Sequence, residues 1–166
     1  MLKNKLNITD EIELSKTEEK ITKLKALDLY DSGKINTGEV GTFKGLAQIN
    51  NYLFSDIYDF AGKMRTVNIA KGNFRFASVL YLKDILKTID TMSEDNYDNI
   101  IKKYVEMNVA HPFREENGRS TRIWLNLILK KNLGQVVDWS KVCKEDYLLA
   151  MERSPIKDTE INILLK

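Results

Sequence analysis

Apolar residues recur at helical spacing along most of this chain, and the places where that spacing fails mark its joints. Residues 12–29 read as an amphipathic helix, closed by the turn residues Tyr30, Asp31, Ser32 and Gly33. Thr42 is placed to cap a second helix over residues 42–58. Through residues 61–76 the helical period lapses while Gly62, Gly72 and Asn73 accumulate, which predicts the one short hairpin. Helices resume over 79–92 and 97–110. Residues 117–131 are apolar almost all round, at Ile123, Trp124, Leu125, Leu127, Ile128 and Leu129, so this segment is the expected central helix. A further helix over 139–153 follows, and Ser154 with Pro155 suits the N-cap and first turn of the last one. The fold class is all-α with one hairpin.

Composition narrows the picture only a little. A chain of 166 residues with 43% hydrophobic content builds one domain, residues 1–166, with a sizeable core. The 26 basic and 24 acidic side chains, net +2, are too balanced for nucleic-acid or anionic-membrane binding by bulk charge. No apolar run approaches the ~20 residues of a membrane span, and the Lys/Asn-rich start does not read as a signal peptide. Cys143 is the single cysteine and cannot form an internal disulfide, which agrees with a reducing cytoplasm.

The reactive residue types concentrate in one loop. It reads His111-Pro112-Phe113-Arg114-Glu115-Glu116-Asn117-Gly118-Arg119, with Arg122 following, and it holds the only histidine. Pro112 disfavours the α conformation at His111 and ends the preceding helix. The next helix starts near Asn117, and its first turn offers unpaired N–H groups and the positive end of the helix dipole, a setting that binds phosphate. Arg119 and Arg122, three apart, share a face there and are misplaced against the dipole unless an anion lies between. Glu115 suits a Mg²⁺ that keeps phosphates as ligands, and His111, ordinarily titrating near about 6.5, can take a proton from a hydroxyl. Singly, these residues read as helix-end packing and a surface ion cluster. Their convergence in one segment points to chemistry.

The segment resembles the signature of the Fic/Doc (Fido) family, H-P-F-x-D/E-G-N-G-R-x-x-R, and departs from it at one position, where Glu116 stands in place of glycine. Upstream, the stretch GKMRTVNIAKGNFRF from Gly62 to Phe76 is similar to the family's flap, a hairpin beside the active-site loop. The segments YLLAMERSP, from Tyr147 to Pro155, and Gly41-Thr42-Phe43-Lys44-Gly45-Leu46 resemble bacterial single-domain members regulated by their own C-terminal helix. Roughly residues 29–166 are covered.

The resemblance implies a Fic-type bundle of about seven or eight helices and a protein adenylyltransferase, in which a Ser, Thr or Tyr hydroxyl of a target protein attacks the α-phosphorus of ATP. By position, His111 is the implied general base, Phe113 the anchor of the loop and Glu115 the Mg²⁺ ligand. Glu116, Asn117 and Gly118 then fall at the anion site, Arg119 on the phosphate chain and Arg122 at the γ-phosphate. On the flap, Lys71, Gly72, Asn73 and Phe74 lie toward the nucleotide, while Arg75 and Phe76 dock the target. An exposed hairpin edge suits that task, because it can register an extended peptide by main-chain hydrogen bonds; for Phe76 alone, plain core packing is the favoured reading.

Glu116 modifies the expectation. A non-glycine residue held at positive φ costs about 1–2 kcal/mol, and its carboxylate can enter the anion site, turn to solvent or pair with Arg114. Weakened activity or altered phosphate placement on an unchanged fold is expected. The alternatives are a Fic-type phosphotransferase, a de-AMPylase and a non-catalytic binding module; retention of His111 argues against the last. Many relatives silence themselves with a helix of the form S/T-x-x-x-E-G/N, which has no match here. The expectation is an inhibitory helix after residue 166 or on an antitoxin-like partner, with Glu116 as a local brake on Arg119 or Arg122 the more speculative option. Self-modification and a homo-oligomer follow from the resemblance alone.

Overall fold

Each of the first four helices opens on a side chain that accepts from its own first turn. In α1 (Glu11–Asp31) Asp10 accepts from the Glu13 amide at 2.7 Å, and in α2 (Phe43–Phe54) Thr42 accepts from Gly45 at 3.1 Å. Ser78 and Asn96 do the same for α3 (Val79–Asp90) and α4 (Tyr97–Ala110). The computed structural model describes residues 2–36 and 38–166. The chain continues through α5 (Asn117–Leu133), α6 (Lys144–Arg153) and α7 (Thr159–Leu165), with short 3₁₀ turns at Lys34–Asn36 and Trp139–Lys141.

Helix α5 is the axis of the bundle, as its apolar girth predicts. It packs on α2 and α4, with α3 on α4, α1 on α2, and α7 closing over α4 and α6. Trp124, fully buried, spends its indole N–H on the Thr42 carbonyl at 3.0 Å, so the core's largest residue also fixes the start of α2. The hairpin pairs β1 (Ala70–Lys71) with β2 (Phe74–Arg75) in antiparallel register, Ala70 opposite Arg75, around a Gly72-Asn73 turn in which Gly72 takes φ 59°. No helix among the described residues is long and apolar enough to cross a membrane.

Four boundaries differ from the sequence reading. Tyr30 and Asp31 belong to α1, and Ser32 forms its C-cap. Helix α2 stops at Phe54 rather than running to residue 58. The carbonyls of Ser55 and Ile57 are claimed by the side chain and the amide of Lys5, which draws them out of a helical ladder, and the turns that follow aim Ile57 and Tyr58 into the core. The segment 139–153 is not one helix, because Val142 and Cys143 are extended between the 3₁₀ turn and α6. Ser154 does not open the last helix. It caps the end of α6, its buried hydroxyl donating to the Met151 carbonyl at 2.7 Å, and α7 begins only after Asp158.

Candidate active site

The loop between α4 and α5 begins and ends on residues of left-handed backbone. Pro112 does end α4 at Ala110, but His111 adopts φ 49°, ψ 64° rather than an extended conformation and serves as the helix C-cap, its N–H bonded to the Met107 carbonyl at 3.0 Å. Glu116 adopts φ 60°, ψ 34° where the next helix starts. Between them Phe113 is fully buried against Phe43. The buried Asn117 side chain accepts from the Phe113 amide and donates to its carbonyl, both at 2.8 Å, so it closes the loop on itself. The Asn117 side chain is thus occupied by the loop, and what this position presents to a ligand is the start of α5.

That start is open. Helix α5 has no side-chain cap, in contrast to α1 through α4, so its first amides keep their donors. Arg122 lies close over Gly118, with Nη1 3.1 Å from where a Cβ would stand, and its guanidinium faces the Trp139 ring at 5.9 Å. Trp139 in turn meets Tyr147 edge-on, and the hydroxyls of Tyr147 and Tyr104 are hydrogen-bonded. The Trp139 indole N–H is the buried side-chain polar atom left without an acceptor among the described residues.

His111 is held from the flap side. Phe76 stacks on its imidazole with centroids 3.7 Å apart and planes at 13°, so Phe76 faces the loop's titratable group as well as packing edge-on with Phe74. Burial, and then the charges of Arg65 and Lys71, lower the His111 pKa to about 4, so the ring is neutral at physiological pH. Arg65, which sequence reasoning missed, is buried and donates to the carbonyls of His111, Val67, Ala77 and Ala110, while its own amide donates to the Pro112 carbonyl. One guanidinium thereby joins both ends of the flap to the motif loop. Lys71, Gly72, Asn73 and Arg75 are exposed on the hairpin and Phe74 is half-buried.

The Glu116 side chain neither pairs with Arg114 nor caps α5. It turns to Arg119, with Oε2 3.7 Å from Arg119 Nε. Burial and the Glu18 carboxylate raise its pKa to about 8. Glu18 is itself buried, accepts from the Tyr58 hydroxyl at 2.7 Å and stands 3.5 Å from Arg119 Nη1, which also donates to Thr22 Oγ1 at 2.9 Å. Arg119 is therefore turned toward α1. The missed residues Glu18 and Thr22 had one signal in the sequence, since they continue the i, i+4 stripe of the buried Leu14.

Among the described residues no group of three or more His, Cys, Asp or Glu is arranged to hold a metal. Glu115 is an exposed carboxylate at the rim, its pKa raised by partial desolvation and by the Glu18 charge, with Arg114 opposing. A cation there relieves like-charge crowding, and a Mg²⁺ that retains phosphates and waters needs only one or two protein carboxylates. A concavity of about 690 Å³ lies at the other end of α5, lined by Val40, Leu127, Lys130 and Lys131, and gathers no comparable chemistry.

Comparison with known proteins adds independent observations. The model of the Fic/DOC family matches residues 42–129. Protein adenylyltransferase VbhT of Bartonella schoenbuchensis is 28% identical over 156 residues, covering 86% of this chain and 31% of VbhT, so the chain spans about a third of that relative. The probable protein adenylyltransferase Fic of Escherichia coli K12 is 27% identical over 169 residues, covering 95% of this chain and 82% of its own. Among solved structures, BepC of Bartonella tribocorum with bound AMPPNP superposes with a TM-score of 0.80 at 20% identity, over 99% of this chain and 90% of that one.

Proposed function

The chain belongs to the Fic/DOC family, and from that premise we propose that it is a protein adenylyltransferase using ATP. The observation that carries the reading is the pairing of a neutral, ring-stacked His111 with an uncapped α5 N-terminus in a single closed loop. The naming of its relatives as protein adenylyltransferases supports it.

The reaction needs a base, an anion site and a way to hold the attacking hydroxyl. His111 accepts the proton of a target side-chain hydroxyl as its oxygen bonds to the α-phosphorus. The bond from that phosphorus to the bridging oxygen breaks, and pyrophosphate leaves with the electron pair. A base that is already neutral at pH 7 has no proton to lose first. The amides of Gly118 and Arg119 receive phosphate oxygens at the helix start, Arg122 serves the far end of the phosphate chain, and Arg119 borders it from the α1 side. Glu115 is the residue that would hold Mg²⁺, which when bound neutralises phosphate charge. The exposed edge of the hairpin registers the target chain beside His111, and the stacked Phe76 keeps water from the imidazole.

Because the Glu116 carboxyl lies against Arg119 and does not cap α5, the enzyme reading is preferred over a closed binding module. The test is label transfer from α- and γ-labelled ATP, with Mg²⁺, to a bacterial lysate and to the protein itself, using wild type and His111→Ala. Label from α-ATP alone, lost in His111→Ala, is expected. Label from γ-ATP means phosphotransfer, and no label from either means a non-catalytic module.

A further inference from the structure

Helix α5 carries two arginines near its open start, and they are held in different ways. Arg119 is paired, 3.5 Å from Glu18 and 3.7 Å from Glu116, and donates to Thr22. Arg122 is half-buried, and among the described residues its guanidinium makes no ion pair and no hydrogen bond. A cation withdrawn from water without a counter-charge is unfavourable unless something else holds it or an anion arrives. We propose that Trp139 is a positioning residue for nucleotide selection: its ring seats the Arg122 guanidinium over Gly118, beside the open helix start, so that the site prefers a nucleoside triphosphate to a diphosphate.

The seat is assembled from three parts of the fold. Gly118, Arg122 and Asn126 fall at successive four-residue steps on one face of α5. Helical side chains lean toward the N-terminus, so Arg122 reaches back a turn, and its Nη1 lies 3.1 Å from where a Cβ on Gly118 would stand. The guanidinium can lie there because position 118 has no side chain. Its Cζ is 5.9 Å from the centre of the Trp139 ring, within reach of a cation–π contact. Asn126 brings that ring to the same face, since its side chain accepts from the Val137 amide at 2.8 Å and donates to the Val137 carbonyl at 3.4 Å, two residues before Trp139. Tyr147 of α6 meets the ring at a right angle, centroids 5.7 Å apart, and its hydroxyl is hydrogen-bonded to that of the buried Tyr104. The indole N–H adds nothing to this arrangement, being buried without an acceptor among the described residues. The tryptophan therefore acts through its face, and a phenylalanine should serve in its place.

The inference rests on the reading above that puts Arg122 at the far end of the phosphate chain. Calorimetric titration with AMPPNP and with ADP, in the presence of Mg²⁺, separates the two. Trp139→Leu is expected to weaken AMPPNP binding about tenfold and ADP binding by less than about twofold. Trp139→Phe is expected to keep the wild-type preference. Arg122→Ala should lose that preference as Trp139→Leu does, and the double variant should bind as Arg122→Ala alone does. With Arg122→Ala selective, three results each overturn the seat and spare the Arg122 reading: equal weakening of both nucleotides in Trp139→Leu, no weakening of either, or loss of the preference in Trp139→Phe. If Trp139→Leu does not fold by its thermal melt, Arg122→Lys, which keeps the charge but lacks the flat face that stacks, carries the same expected loss, and an undiminished preference there overturns the seat. Arg122→Ala binding both nucleotides as wild type does, or wild type binding neither, overturns the Arg122 reading and this inference with it.

Discussion

The two ends of the motif loop face the same local problem with different partners. His111 and Glu116 both hold a left-handed conformation that L side chains resist at a cost of about 1–2 kcal/mol, with φ 49° and 60°. At His111 the compensation comes from main-chain hydrogen bonding: one buried arginine binds the residue's carbonyl and those of Ala110, Val67 and Ala77. At Glu116 it comes from side-chain charge, through Arg119, which also lies against Glu18. The first arrangement leaves the side chain uncharged, stacked and free for chemistry. The second occupies the side chain entirely. A strained backbone therefore presents a neutral, stacked imidazole at one end and a charge-paired carboxyl at the other, according to whether the support comes through the backbone or through the side chain.

Breaking the first support should have the largest effect. Arg65→Ala leaves several buried carbonyls without a donor and opens a cavity, so a loss of about 3–5 kcal/mol is expected. For a chain of this size that lowers Tm by roughly 10 °C, and a melt within about 2 °C of wild type would show that the flap is held by other means. A variant that stays folded should also lose label transfer, because His111 is freed.

The pH behaviour sharpens the contrast. The His111 pKa is lowered to about 4 by burial, Arg65 and Lys71. Its contribution to stability is therefore fully present above the unfolded value of about 6.5 and is lost as pH falls through about 4, an effect on the order of 3 kcal/mol. As the only histidine, it can be titrated by NMR without ambiguity. A midpoint near 4 is expected, and one near 6.5 would place the ring in solvent.

The smallest effect belongs to the other end. Glu116→Gly removes the left-handed penalty while Glu18 keeps Tyr58 and Arg119, so a gain of about 1 kcal/mol is expected in a denaturant titration. A loss of that size would mean that the Glu116–Arg119 pair contributes more than the backbone costs.

Much of this was legible without coordinates. The uninterrupted period over residues 97–110, the proline that ends it, the Gly72-Asn73 turn and the apolar girth of residues 117–131 each act within a few residues, and all four appear where expected. The misses came where distant chain, or the direction of a cap, decided the outcome. Helix α2 ends early where Lys5, some fifty residues away, takes the carbonyls of Ser55 and Ile57 just beyond it, and Ser154 caps backward rather than forward. The same limit hid the partners of the site. Arg65 lies 46 positions from His111, and Thr22 lies 97 from Arg119.

The sequence by itself thus determined which helices form, where the loop breaks and which reactive residues it carries, because capping, periodicity and proline sterics act over a turn or two of chain. Only the tertiary structure decided that His111 is neutral, that Glu116 lies against Arg119 and that the start of α5 stays open. Desolvation and charge pairing depend on what folding brings alongside, and α1 and the hairpin reach the loop only when the bundle closes.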